Sequence, residues 1–90
     1  MLFRSDPGQS AAMLDRLLAE WVTDIIEAEA LVVIKTPPGS ANLVANALDA
    51  AALEGVAGTI AGDDTIFVAL NEGASVDMLA TRLRARRDAS

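Results

Sequence analysis

The stretch Gly58-Thr59-Ile60-Ala61-Gly62-Asp63-Asp64-Thr65, running on into Ile66-Phe67-Val68-Ala69-Leu70, decides how the chain is read. Apolar and β-branched residues flank Gly62-Asp63-Asp64 on both sides. The pattern predicts two strands, over residues 56–62 and 65–70, joined at an acidic turn. Two successive carboxylates repel each other, and Asp is a poor strand former. A tight turn that carries both needs something to compensate.

Upstream of this hairpin, Leu43, Val44, Ala47 and Leu48 recur at helical spacing and predict a helix over residues 40–53 with a buried stripe. Asn42, Asn46 and Asp49 follow i, i+4, i+7, so they share a second, polar face. Ser40 is a candidate N-cap, and Glu54-Gly55 closes the helix. Before it, Thr36-Pro37-Pro38-Gly39 ends a buried strand, Leu31-Val32-Val33-Ile34, because proline cannot extend a ladder. The β-branched Val22, Thr23, Ile25 and Ile26 predict a partner strand, with the hairpin turn near residues 27–29. Met13, Leu14, Leu17, Leu18 and Trp21 place a helix over residues 10–21, after a leader at residues 1–10 that contains Asp6-Pro7-Gly8.

Downstream, Asn71-Glu72-Gly73 reads as a turn and residues 75–86 as a helix with Val76, Leu79, Ala80 and Leu83 inward. Arg82, Arg84, Arg86 and Arg87 crowd its C-terminal end, where cations favour the helix dipole. Structural charge placement is the first reading of this cluster and an interaction patch the second. The expected fold class is α/β (α+β). It is a two-layer sandwich with a mostly antiparallel four-stranded sheet, β-β-α-β-β-α, and a preceding N-terminal helix.

The composition narrows the chemistry. Ninety residues make one domain. The longest apolar runs are far shorter than the ~20 residues a membrane helix needs. No signal peptide is legible, and no partner role for a membrane is expected. The chain has no cysteine and no histidine, which removes disulfides, thiolates, the commonest general base and the commonest metal ligand. Absent cysteine fits a cytoplasmic location. A net charge of −6 argues against nucleic-acid binding by this stretch itself and suits a cationic small ligand, or simply a soluble surface.

Three readings of the acidic turn stay open on the residues alone. In the first, Asp63 and Asp64 only satisfy turn geometry. In the second they hold a hard divalent cation for phosphoryl transfer, although no Gly-rich phosphate loop, basic clamp or activated nucleophile accompanies them. In the third they bind a cation with forked planar donors. A guanidinium matches a carboxylate bidentately, and the polar face of Asn42, Asn46 and Asp49 takes the rest of the ligand.

Thr36-Pro37-Pro38-Gly39-Ser40-Ala41-Asn42-Leu43-Val44-Ala45-Asn46-Ala47-Leu48-Asp49, followed by Gly58 to Thr65, resembles the C-terminal domain of bacterial arginine repressors. The likeness covers residues 13–86. It implies a non-enzymatic corepressor-binding and hexamerisation domain of an arginine-dependent transcriptional regulator of arginine metabolism. In that family the domain trimerises through its sheets, and two trimers bind L-arginine between them. L-arginine is the corepressor, and no other cofactor, metal or catalytic residue is implied. Operator DNA would be reached only through an N-terminal winged helix-turn-helix, which this sequence lacks.

The resemblance divides the chain into a linker remnant at 1–10, the effector-binding domain at 11–87 and a tail at 88–90. It assigns Asp63 to the ligand guanidinium, with Asp64 its neighbour. Thr59 and Ala61 line the ligand's other end, and Asp49 is the acid on the helix. Asn42 stands where many relatives have glutamine. Its reach is one methylene shorter, a gap that a bridging water spans. The alternative is a sensor of similar build for a different amino acid or small cationic ligand.

Overall fold

The computed structural model describes residues 7–89, which form three helices and four strands in the order α1 (Pro7–Trp21), β1 (Asp24–Glu27), β2 (Leu31–Lys35), α2 (Ala41–Ala51), β3 (Val56–Ala61), β4 (Thr65–Leu70) and α3 (Val76–Ala89). The sheet runs β1-β2-β4-β3 with every neighbouring pair antiparallel. The α+β architecture expected from the periodicities is the one observed. Each hairpin is followed by a helix that returns across the same face. There α2 packs on β3 and β4, α3 packs on β1 and β2, and α1 packs on both helices.

Strand alternation sets the two faces of the sheet. Ile25, Val32, Ile34, Ile66 and Val68 point to the helices and are buried. They meet Leu14 and Leu18 of α1, Val44 and Leu48 of α2, and Leu79 and Leu83 of α3 in one core. The residues between them in sequence point the other way. Register places Ile26, Val33, Phe67 and Ile60 in a single row across all four strands, with Leu31, Ala69 and Gly58 in the next row but one. The second face of the sheet is therefore apolar, and among the described residues no layer covers it. Ile26, Phe67 and Ile60 are all exposed. A contiguous apolar surface of this kind marks an interaction site.

Several local expectations shift. The first helix begins at Pro7, inside the stretch expected to be linker. Proline suits the first helical position because the N–H it lacks would have had no intrahelical partner. The last helix continues to Ala89, into the expected tail. The rest of both segments, residues 1–6 and 90, lies outside the described residues. The hairpin bend falls at Glu29–Ala30, closed by the Ala28 N–H on the Leu31 carbonyl at 2.9 Å, slightly later than expected. Helix α2 stops at Ala51 because Ala52 turns left-handed, at φ 51°, with its N–H on the Asp49 carbonyl. Leu43, expected in the buried stripe, is exposed, as is Met13 of α1.

The arginines of α3 act mainly across elements. Arg82 donates to the Glu54 carbonyl at 2.8 Å, Arg84 to the Ile25 carbonyl and the Glu27 carboxylate, and Arg86 to Asp15 of α1. These contacts tie α3 to the α2–β3 connection, to the edge strand β1 and to α1, a role beyond the helix-dipole placement expected of the cluster. Among the described residues no helix is long and apolar enough to cross a membrane.

Candidate functional site

The acidic turn is a two-residue hairpin loop. The Gly62 N–H donates to the Thr65 carbonyl at 2.8 Å, and Asp63 and Asp64 span the gap. Two-residue loops ordinarily rely on positive φ and on Gly or Asn to supply it. Here neither aspartate has a positive φ. The compensation comes from the connection between β2 and α2. The Asp63 carbonyl accepts the Gly39 N–H at 2.9 Å and the Ala41 N–H at 3.4 Å, and the Asp64 carbonyl accepts the Thr36 N–H at 2.9 Å. Both loop carbonyls are thus bound by a neighbouring segment.

That segment is shaped to receive them. Pro37 to Ser40 form a turn in which the Ser40 N–H reaches the Pro37 carbonyl at 3.1 Å. Pro38 takes the second position, and Gly39, at φ 87°, takes the third. Only glycine adopts that φ readily, which explains the Pro-Gly pair in this place. Thr36 is buried, and its hydroxyl donates to the Pro37 carbonyl. The Ser40 side chain makes no capping bond to α2. The cap expected of Ser40 is supplied instead by the Asp63 carbonyl on the Ala41 N–H, so the acidic turn and the start of α2 stabilise each other.

The two carboxylates have different surroundings. The Asp64 Oδ1 accepts the Thr65 hydroxyl at 2.8 Å and lies 3.8 Å from the Lys35 ammonium, which in turn donates to Thr65 Oγ1. The Asp63 side chain is exposed, and no in-chain partner holds it among the described residues. Thr36, Gly39 and Ala41, whose amides hold the turn, and Lys35 were not among the expected site residues. Their signal is long-range. Lys35 faces Thr65 only once the β2–β4 register is known.

Further along α2, the Thr59 hydroxyl donates to the Asp49 carboxylate at 2.9 Å and links the helix to β3. These two residues line a cleft of about 530 Å³ with Leu48, Ala52, Leu53, Val56, Ala57 and Gly58. Asn42 and Asp49 are both exposed on α2, seven residues and so about 10 Å apart along the axis. Ala61, half-buried, lies on β3 between Thr59 and the turn. The expected site residues therefore follow the seam between α2 and β3. Asp63, Asp64 and Asn42 lie toward its turn end, and Asp49 and Thr59 lie along its length.

Within one chain this seam offers acceptors at separated points, with Asp63 exposed at its turn end. It can grip a cation at the turn and polar groups further along. Among the described residues no three acidic side chains converge as a divalent metal requires.

The sequence matches the family described as arginine repressor, C-terminal domain, over residues 18–85. It is 47% identical over 68 residues to an arginine repressor of Histophilus somni, covering 74% of this chain and 44% of that protein. Against an arginine repressor of Koribacter versatilis it is 42% identical over 83 residues, covering 89% of this chain and 56% of that protein. Against one from an Anaeromyxobacter species it is 53% identical over 62 residues, covering 69% and 39%. The chain thus spans about half the length of the curated relatives it matches.

Proposed function

The chain belongs to the arginine repressor family through that family's C-terminal domain, and from this membership we propose that it binds L-arginine and assembles a cytoplasmic regulator of arginine metabolism genes. The domain is a ligand-binding and assembly module and not an enzyme. Operator DNA is contacted by a winged helix-turn-helix elsewhere in the repressor, since this acidic stretch offers phosphates little attraction.

In this reading three chains bury their apolar sheet faces against one another, and two trimers meet along the α2–β3 seam. L-arginine lies between the trimers. Asp63 takes its guanidinium, with Asp64 beside it. Asp49, Thr59, Ala61 and Asn42 address its α-amino and carboxylate end. The observation that carries this is the state of Asp63: its carbonyl is bound inside the fold, while its exposed carboxylate has no partner among the described residues. A guanidinium satisfies such a carboxylate through two parallel hydrogen bonds.

The coupling follows from charge. Six empty copies of an acidic site brought across an interface repel one another. A cation that touches both halves neutralises them, so ligand binding and hexamer stability reinforce each other. Size-exclusion mass measured with and without L-arginine tests this. L-arginine is expected to shift trimers toward hexamers and to raise the melting temperature more than L-lysine does. Equal effects of the two amino acids would instead indicate a sensor for small cations in general.

A further inference from the structure

The apolar sheet face ends, next to the acidic turn, in a polar row. Register aligns Asp24 of β1, Lys35 of β2 and Thr65 of β4 across the sheet. Asp24 turns back on its own strand, its Oδ1 accepting the Ile25 N–H at 2.9 Å. Lys35 reaches the other way, to Thr65 Oγ1 and toward Asp64 Oδ1. Thr65 accepts from the ammonium and donates to the carboxylate, so one hydroxyl fixes both charges.

From this arrangement we infer that Lys35 is the in-chain counter-ion that divides the acidic pair. It ties Asp64 to the sheet and leaves Asp63 as the carboxylate offered to the ligand's cation. The inference rests on the arginine reading above and specifies how the site distributes its charge. A half-exposed pair such as Lys35 with Asp64 adds little to the stability of the fold. Its consequence is electrostatic. With Lys35 present, the acidic turn presents close to one uncompensated negative charge to the guanidinium rather than two. Lys35 is a positioning residue. It acts on the ligand through Asp64 and sets the charge against which a guanidinium is weighed.

Removing the ammonium frees a second negative charge, and a unit charge about 6 Å from a guanidinium in water attracts it by about 0.7 kcal/mol. That charge strengthens the attraction about threefold at low ionic strength, and most of the gain is screened away in 0.5 M salt. The experiment is calorimetric titration of L-arginine into the wild type, Lys35→Arg, Lys35→Met and Lys35→Met with Asp64→Asn, between 0.02 and 0.5 M salt, with circular dichroism on every variant. The wild type and Lys35→Arg are expected to follow one salt dependence. Lys35→Met is expected to lose about threefold more affinity across that range, and the double variant, neutral at both positions, to return to the wild-type slope. A role confined to folding would not be reversed by changing Asp64. Parallel salt lines for the wild type and Lys35→Met, or no reversal in the double variant, overturn the inference. A wild type that takes up no L-arginine overturns the ligand reading itself and the inference with it.

Discussion

Replacing Ile60 with lysine separates the fold of the chain from its assembly. Ile60 lies on the uncovered face of the sheet and is 76% exposed in the single chain. Fully burying an isoleucine is worth about 1.5–3 kcal/mol, so covering what remains of Ile60 in a trimer contributes about 1–2 kcal/mol per chain. Three copies bring this to about 3–6 kcal/mol, before any cost of placing an ammonium against Phe67 of β4 and the facing subunits. That corresponds to roughly a hundred- to ten-thousand-fold in the trimer dissociation constant. The same change in the isolated chain falls at an exposed position, where substitutions usually stay within about 0.5 kcal/mol. If three chains pack by this face as proposed, sedimentation equilibrium over a range of protein concentrations is expected to show a monomer at concentrations where the wild type associates. Far-UV circular dichroism of the variant should remain native. An Ile60→Lys variant that sediments like the wild type refutes the argument, because the sheet face would then not be what the chains bury.

Two further outcomes follow from single residues. Asp63→Asn is isosteric at an exposed side chain, so melting is expected to change little. L-arginine affinity should fall roughly 10- to 100-fold through loss of a charge-assisted pair, and trimers should persist. Unchanged calorimetric affinity would remove Asp63 from the site. Ala52→Gly relieves the left-handed conformation at the end of α2, which costs an L-residue about 1–2 kcal/mol, set against the greater freedom of glycine in the unfolded chain. The net expectation is a gain of about 0.5–1 kcal/mol, read as a higher urea midpoint, and an unchanged or lower midpoint contradicts it.

The parts of this fold that were legible in the sequence are those written in short-range patterns. The apolar runs at residues 31–34 and 66–70 and the helical spacing of Leu79, Ala80 and Leu83 place the core elements correctly. What escaped was written in backbone conformation or in register. Pro7-Gly8 carries the residues of a loop, and only the tolerance of proline at a first helical position explains the early start of α1. Nothing in the letter Ala52 announces a left-handed residue. Leu43 projects from the side of α2 away from its buried set, Ala41, Val44, Ala45, Ala47 and Leu48, so adjacency to that stripe did not bury it. At the site, the acidic pair and the polar face of α2 stood out by type. The contact that gives Asp64 surroundings unlike those of Asp63 did not, because it depends on Lys35 meeting Thr65 across two strands thirty positions apart in sequence.

The hold that Thr36, Gly39 and Ala41 keep on the carbonyls at 63 and 64 has a consequence for how such a module can change. Most tight turns depend on the conformational habits of the residues inside them, so exchanging those residues reopens the folding problem. Here the hydrogen bonds come from outside the loop and reach only its main chain. The turn is therefore a socket, in which the side chain at 64 is tied to Thr65 and Lys35 and the exposed one at 63 is an interchangeable fitting. On the proposed arginine reading, effector preference can drift, or be re-engineered, at position 63 while the scaffold beneath it stays as it is.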